Sequence, residues 1–481
     1  MTASADQATR RNLKLTRGVV LLSFCLNAGV NLALIGYFAR TGGLGLVGDW
    51  AWLNAVLMNV LILDLGLTEA LTFRIARDGL TATQPLLRTA LRLAAVGVVL
   101  SAAASCLCLL IGAPGFAAAS LAALAAVLQL ASNWRISIRL GQHQQYWYNL
   151  KTIARVAAQT GLAVWLIKIM PQSQPLGLAL ALTAGALIEV SVALWATRML
   201  RLRSGPRANL TVLASAARLF ALTNLSHRAL QPLSILLLGL TLNTAAVAVF
   251  SLALRIPTVI SQAVSEALRG LLAGLAQLRD TEPDRIPPLL RDCFTLQLAL
   301  LGPMMIFATA FAPKLLHLWL GAVPQELVTA LRILLLATAL TGITTPFHWA
   351  NYALGPEKLA ARAYAIGTCA TLAAGGLALV SGHGLLGFVT IFGLIQSSLA
   401  LAMLAIAQTQ NRLVSRSLRE LDFQKIVLRL TITAAIAFGA EAAVTALPQS
   451  ANLLLLALSS ALVLALTMIS LRMKQITWRQ R

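Results

Sequence analysis

Long apolar runs alternate with short polar breaks along the whole chain. Each run is close to the twenty residues that an α-helix needs to cross a bilayer. Breaks rich in Pro and Gly, such as "GAPG" at 112–115 and "PQSQP" at 171–175, separate neighbouring runs. The pattern predicts fourteen membrane spans, at 18–39, 46–68, 90–112, 116–138, 150–170, 175–197, 217–240, 244–267, 293–312, 328–350, 360–381, 385–407, 427–447 and 451–471.

Composition supports this interpretation and narrows the fold class. Of the 481 residues, 58% are hydrophobic and only 11% are charged, and the mean hydropathy is +0.79. A water-soluble chain of this length needs more charge to cover its surface. Because lipid leaves no partner for an open backbone, the spans must be helices or a closed barrel, and runs of this length favour helices. We therefore predict an all-α polytopic membrane protein in contact with membrane lipids.

Basic residues predict the orientation of the chain. The net charge is +22, from 38 Lys and Arg against 16 Asp and Glu. The basic residues lie in short clusters between apolar runs, which favours membrane orientation over nucleic-acid binding. With the N-terminus inside, all but four of the 38 lie in or nearest to inside segments, and the exceptions are Arg40, Lys168, Lys314 and Arg332. We expect both termini to be cytoplasmic.

A weak internal repeat divides the spans. Spans 1–2 align with spans 7–8 at an offset of 200, and spans 4–5 align with spans 10–11 at an offset of 214. We predict a six-helix lobe at 1–200, a second six-helix lobe at 201–410, and a cytoplasmic linker helix with spans 13–14 at 411–481. Both lobes start on the same side, so the repeat is parallel and binding sites are expected where the repeats meet.

Five segments together resemble the bacterial polysaccharide biosynthesis proteins. These are the O-antigen and exopolysaccharide flippases (Wzx-like) of the multidrug/oligosaccharidyl-lipid/polysaccharide (MOP) exporter superfamily. The most specific element is "DLGL" at 64–67. The chain differs from the family in span 7, where many relatives carry an acidic residue and this chain has Ser234 and Ile235. The segments are "LGLVGDWAWLNAVLMNVLILDLGLTEALTFRIAR" at 44–77, "LNTAAVAVFSLALRI" at 242–256, "LHLWLG" at 316–321, "LRILLLATAL" at 331–340 and "ALGPEKLAARAYAIGT" at 353–368.

The resemblance implies a transporter in the bacterial inner membrane. Its cargo would be an undecaprenyl-pyrophosphate-linked oligosaccharide, moved from the cytoplasmic to the periplasmic leaflet. The cavity would lie between two lobes and be lined chiefly by spans 1, 2, 7 and 8. A polysaccharide polymerase and a chain-length regulator are the partners that the resemblance suggests.

Span 7 carries a polar stripe. Asn224, His227, Arg228 and Gln231 follow the i, i+3, i+4, i+7 spacing of one helical face. A charge about 12 Å into the span costs on the order of 3 kcal/mol if it faces lipid, so Arg228 should face protein or water. The stripe either meets the pyrophosphate or holds a structural arginine.

Span 8 continues the same chemistry. Arg255 lies near its middle, and Gln262 and Glu266 extend the face at helical spacing. An arginine fork suits a diphosphate because it binds two oxygens and stays charged. The alternative is a buried pair between Arg255 and an acid of a neighbouring span. Glu266 is a candidate for ion coupling.

Three further sets of polar residues have two interpretations each. Asn27 and Asn31 of span 1 either bond neighbouring helices or face a sugar. Arg135 and Arg139, at the inner end of span 4, are either orientation anchors or a gate that recruits pyrophosphate. Asp64, at the inner end of span 2, favours a structural pair with Arg74 or Arg77 over ion coupling.

The sequence also argues against other classes. It lacks a phosphate-binding GxxxxGK[ST] loop, and no spacing of its five cysteines or histidines suggests a metal site or disulfide framework. We expect no cofactor and no enzymatic activity. The alternatives are a cation-coupled small-molecule exporter of the same superfamily, which needs an acidic cavity, and a membrane enzyme that polymerises or ligates lipid-linked glycans, against which the short outer loops argue.

Overall fold

The described part of the chain is helical, without a β-strand, which agrees with the predicted class. Ten of its helices are long and apolar enough to cross a membrane. The chain is therefore a multi-pass membrane protein. The computed structural model describes residues 2–142, 144, 146–198, 211, 229–266, 271, 275, 278–279, 282–321, 323–355, 357–419 and 423–445.

The chain divides into two compact units, Met1–Ala248 (unit 1) and Val249–Arg481 (unit 2). The predicted lobes divide instead at residue 200, and those three-part boundaries stay a prediction. Unit 1 contains α1 (Thr2–Leu61), α2 (Leu67–Leu110), α3 (Pro114–Gly141), α4 (Tyr146–Ile169), α5 (Gln174–Thr197), α6 (Leu230–Thr241) and the first turn of α7 (Thr244–Glu266).

Unit 2 begins within α7, and four of its later described helices are long and apolar enough to cross a membrane. Its core is built by Phe294, Phe347 and Leu290, among other buried apolar side chains. The remaining helices are α8 (Ile286–Ala310), α9 (Ala312–Leu320), α10 (Gln325–Ile343), α11 (Thr345–Leu354), α12 (Glu357–Val380), α13 (Gly384–Gln410), α14 (Arg412–Arg419) and α15 (Phe423–Thr445).

Glycines mark the turns of unit 1. Gly43 interrupts α1 with a φ of 67° and separates predicted spans 1 and 2 inside one nearly continuous helix. After a short 3-10 turn at Ile62–Asp64, Leu65 and Gly66 both adopt left-handed conformations, with φ of 46° and 77°. Span 2 thus ends at Asp64 rather than at residue 68. A second left-handed glycine, Gly79, bends α2 before span 3.

Eleven of the fourteen predicted spans lie in the ten long helices, because the first of these covers spans 1 and 2. Span 10 is broken at Thr344, two residues before Pro346, so that α10 and α11 share it. Only the second half of span 7 is described, as Leu230–Thr241, and only part of span 13, with its apolar stretch at Leu430–Gly439. Span 14 lies outside the described residues.

The helix ends recur along the chain. α11 ends 213 residues after α3, α12 ends 211 residues after α4, and α13 ends 213 residues after α5. These intervals are close to the offset of 214 that the sequence suggests for spans 4–5 and 10–11. The helices of spans 4 to 6 and of spans 10 to 12 therefore end at nearly constant intervals.

Candidate functional site

The predicted stripe of span 7 lies mostly outside the described residues. Asn224, His227 and Arg228 fall in 212–228, of which the structure describes nothing. Gln231 is the one member of the stripe that is described, in the first turn of α6, and its side chain is exposed. The role predicted for Arg228 stays a prediction.

Arg255 lies in the middle of α7, beside Pro257. Its side chain is partly buried, and its Nε atom is fully buried without a hydrogen-bond partner among the described residues. The Ser251 hydroxyl, one turn earlier on the same face, is also buried and without a described partner. Gln262 is exposed, and the side chain of Glu266 is outside the described set. The face of α7 around Arg255 thus offers hydrogen-bond capacity that the described residues leave unused.

The polar residues of span 1 bond along their own helix. The Nδ2 atom of Asn31 donates to the Asn27 backbone carbonyl and to Asn27 Oδ1, both at 2.7 Å. Both side chains are partly exposed. This pair presents one connected amide surface, and whether sugar contacts it stays a prediction.

Arg135 and Arg139 bind the end of α5. Arg135 Nε donates to Thr197 Oγ1 at 2.7 Å, and Arg139 Nε donates to the Ala196 carbonyl at 2.8 Å. The last carbonyls of a helix lack partners within the helix and carry partial negative charge, so cations stabilise them. Arg139 also donates to Gln144 Oε1 at 2.9 Å. We call these contacts the Arg139 clamp. They favour a structural role for Arg135 and Arg139, and the predicted role as a gate stays a prediction.

Asp64 caps α2 and links it to α3. Its Oδ1 atom accepts a hydrogen bond from the Trp134 indole at 2.5 Å and from the Thr68 hydroxyl at 2.8 Å. The Thr68 backbone N–H donates to the same oxygen at 3.2 Å. The sequence suggested Arg74 or Arg77 as partner, and the Arg77 side chain lies outside the described set. Trp134 and Thr68 are neutral donors that the sequence did not suggest, and the pair with Arg74 or Arg77 stays a prediction.

A buried ion cluster joins α3, α4 and α5 of unit 1. Lys151 Nζ pairs with Glu189 Oε1 and donates to Asn133 Oδ1 at 2.6 Å. Arg155 Nε lies 3.1 Å from Glu189 Oε2, and its Nη1 donates to Gln159 Oε1 at 3.0 Å. The side chains of Lys151 and Glu189 are 0% and 4% exposed. We call these five residues the Glu189 cluster.

From the sequence alone Glu189 has no evident partner, and Lys151 and Arg155 are among the basic residues assigned to inside segments. The helix of span 5 begins at Tyr146 rather than at residue 150, so both cations lie beyond its first turn. The available signal was the i, i+4, i+8 spacing of Lys151, Arg155 and Gln159, which gives α4 one polar face. Glu189 faces this stripe from α5.

A glycine lets α4 and α5 approach closely beside the cluster. A Cβ atom on Gly185 would lie 2.9 Å from Gln159 Cβ and 3.2 Å from the Arg155 carbonyl. Gly185 precedes Glu189 by one turn. The small residue therefore brings the carboxylate within reach of both cations.

Glycines also define a contact at the opposite end of unit 1. A Cβ atom on Gly48 would lie 2.7 Å from the Thr244 carbonyl carbon, and one on Gly239 would lie 2.7 Å from Trp52 Cδ1. The second half of α1 thus packs directly on the turn between α6 and α7. We call this the Gly48 contact. Successive membrane crossings place it and the Arg139 clamp at opposite ends of the helices.

No protein-family model matches the sequence, and a comparison with curated proteins finds no match. Solved structures do match. The lipid II flippase MurJ in an inward closed conformation has a TM-score of 0.70 at 11% identity, over 95% of this chain and 99% of that one. A multidrug resistance MATE transporter of the MOP superfamily, in an inward-facing conformation, has a TM-score of 0.63 at 16% identity, over 82% of this chain and 96% of that one.

A third match is a MOP superfamily transporter from Pyrococcus furiosus. That protein has a binding pocket of reverse polarity, and its TM-score is 0.53 at 17% identity, over 84% of this chain and 96% of that one. At such low identities the likeness establishes the fold alone. The chain has the helical membrane fold shared by these MOP superfamily transporters.

Proposed function

We propose that the protein is a flippase for a lipid-linked oligosaccharide. Its cargo is an undecaprenyl-pyrophosphate-linked glycan, which it moves from the cytoplasmic to the periplasmic leaflet of a bacterial inner membrane. The fold supports transport by alternating access of two lobes, and the sequence resemblance supplies the cargo. A polysaccharide polymerase and a chain-length regulator would act on the product.

The Arg255 guanidinium is the observation that carries the proposal. It lies within an apolar helix, with Nε buried and without a described hydrogen-bond partner. A buried charged donor without a partner is costly, so a bound anion would stabilise it. A pyrophosphate is a suitable ligand because it is doubly charged and offers paired oxygens to the fork. Arg228 would bind the same group from span 7.

Vesicle transport tests this proposal. Purified protein in liposomes should flip a labelled undecaprenyl-pyrophosphate oligosaccharide. Arg255→Ala and Arg228→Ala should slow flipping about tenfold or more, since each removes a charge-assisted contact. The matched control is Arg362→Ala, which removes an exposed arginine of α12. Wild-type rates in both test variants would refute the site.

An exporter of cationic small molecules is the second candidate, since MATE transporters share the fold. Such cargo needs exposed acid inside the membrane. Of the membrane-embedded charges described above, Lys151, Arg155 and Arg255 are basic, and the acid Glu189 is buried against two of them. Export of a cationic dye, inhibited by Glu189→Gln and not by Arg255→Ala, would favour this candidate. Formation of glycosidic bonds by the purified protein would instead favour an enzyme.

A further inference from the structure

The Glu189 cluster carries unequal charge. Two cations, Lys151 and Arg155, lie within ion-pair distance of one carboxylate. Neutral amides from Asn133 and Gln159 supply the other described contacts. Burying a net charge inside a membrane protein is costly unless a counter-charge approaches it. The cluster is therefore one negative charge short.

The exposed edge of the cluster is Arg155. Its side chain is 21% exposed, while Lys151 and Glu189 are closed off. Arg155 is nine residues beyond Tyr146, the first residue of α4, which is about 14 Å at helical rise. At that depth, exposure of a guanidinium to lipid costs on the order of 3 kcal/mol or more. The exposed edge must therefore face a space that water or a polar ligand can enter.

The donors of Arg155 are only partly engaged. Its Nε atom approaches Glu189 Oε2 at 3.1 Å, but this carboxylate oxygen is buried without a well-aligned hydrogen bond among the described groups. Nη1 donates to Gln159. No hydrogen bond from Nη2 to a described residue is formed. One side of the fork thus remains available for oxygens of an anion, whereas the buried ammonium of Lys151 cannot reach one.

We propose that Arg155 binds a phosphate or diphosphate headgroup of a lipid on unit 1, in competition with Glu189. This rests on the proposed function and names a further residue for the same cargo. Lys151 and Asn133 act as positioning residues that hold Glu189 in place. When the headgroup arrives, the guanidinium turns from the carboxylate toward the phosphate oxygens, and Lys151 retains the carboxylate.

The competition predicts opposite effects for two variants. Arg155→Gln removes the charged fork, so binding of inorganic pyrophosphate to the protein in nanodiscs should weaken about tenfold or more. Glu189→Gln removes the competing charge but keeps the size and hydrogen-bonding capacity of the side chain. Its pyrophosphate affinity should rise several-fold, and pyrophosphate should raise its thermal midpoint more than that of wild type. A purely structural cluster predicts weaker binding in both.

Lys168→Gln is the matched control, because it removes an exposed cation from the other end of α4. Its pyrophosphate affinity should equal that of wild type. If Arg155→Gln does not fold, Arg155→Lys keeps the charge without the fork and should weaken binding by a similar factor. Unchanged affinity in the Arg155 variant, lower affinity in Glu189→Gln, or no pyrophosphate binding by wild type would each overturn the inference.

The source of the anion is tested with undecaprenyl diphosphate in the same nanodiscs. If the site binds a lipid headgroup, undecaprenyl diphosphate should bind more strongly than inorganic pyrophosphate, and its binding should be equally sensitive to Arg155→Gln. Weaker binding of the lipid would overturn the assignment to a lipid headgroup. If opposite effects occur but no lipid-linked glycan is flipped, the proposed function fails and the anion site stands. If flipping occurs and Arg155→Gln binds pyrophosphate like wild type, the anion site at Arg155 fails and the proposed function stands.

Discussion

The two ends of unit 1 are held by different kinds of contact. At one end, the Arg139 clamp and the nearby Glu189 cluster join α3, α4 and α5 through charged hydrogen bonds. At the other, the Gly48 contact joins α1 to the turn before α7 through backbone and ring atoms in van der Waals contact. A charged hydrogen bond is costly to break because it leaves a buried charge unpaired, whereas each van der Waals contact is individually weak. We expect the clamped end to move as one body and the glycine end to open.

The largest expected effect comes from breaking the charged end. Glu189→Leu leaves the buried Lys151 without its acid and Arg155 without its ion pair, so it should destabilise the protein by about 3–5 kcal/mol. Ser191→Ala is the control on the same helix, because Ser191 is exposed and should change stability by about 0.5 kcal/mol or less. Thermal unfolding in nanodiscs measures both. Equal midpoints for the two variants would contradict the importance of the cluster.

A smaller effect is expected at the glycine end. Gly48→Ala places a methyl group against the Thr244 carbonyl, and overpacking of this kind costs about 1–3 kcal/mol. The cost falls only on the state in which the contact is closed, so the population with α1 and the Thr244 turn apart should increase about fivefold or more. Spin labels at Thr41 and Asn243, both exposed, would report a longer distance in a background without the native cysteines.

Gly45→Ala is the control for that experiment, since a methyl group on Gly45 meets nothing within 4 Å. Its distance distribution should match that of the parent protein. If Gly48→Ala lowers the thermal midpoint without changing the distances, the glycine end is as rigid as the clamped end and the comparison fails.

The smallest effect is expected at Asp64. Asp64→Asn keeps an acceptor for the Trp134 indole and the Thr68 hydroxyl, so stability should fall by only about 1 kcal/mol. Flipping should continue, because the bonds to Trp134 and Thr68 give this carboxylate a structural task. Normal expression with loss of flipping would reassign Asp64 to ion coupling.

Apolar run length was enough to predict the helical membrane fold and most spans, because the bilayer thickness fixes the length of a crossing helix. Breaks were harder to place. The sequence does not reveal that Gly43 bends a nearly continuous helix, because glycine also occurs in loops and at close helix contacts. Thr344 shows the same difficulty, because Pro346 permits a break without requiring one.

Side-chain partners were the least predictable part of the site. Glu189 and Lys151 are 38 residues apart, and Asp64 and Trp134 are 70 apart. Such pairs depend on which helices pack together, which hydrophobic periodicity does not specify. The polar stripe on α4 was visible in the sequence. Basic residues near the end of a span, however, look the same whether they orient the helix or form a buried ion cluster. The roles predicted for Arg228, Arg255, Asn27 and Asn31 remain to be tested.

The bond between Asp64 and Trp134 has a consequence for how relatives are recognised. The "DLGL" stretch at 64–67 combines a capping carboxylate with two left-handed residues, and it fixes the start of α2 against α3. None of these tasks depends on what is carried. A search guided by this stretch therefore selects proteins by architecture and groups transporters of different cargo together. Under the proposal for Arg155, the residues around it are the better guide for separating transporters of anionic lipids from the rest.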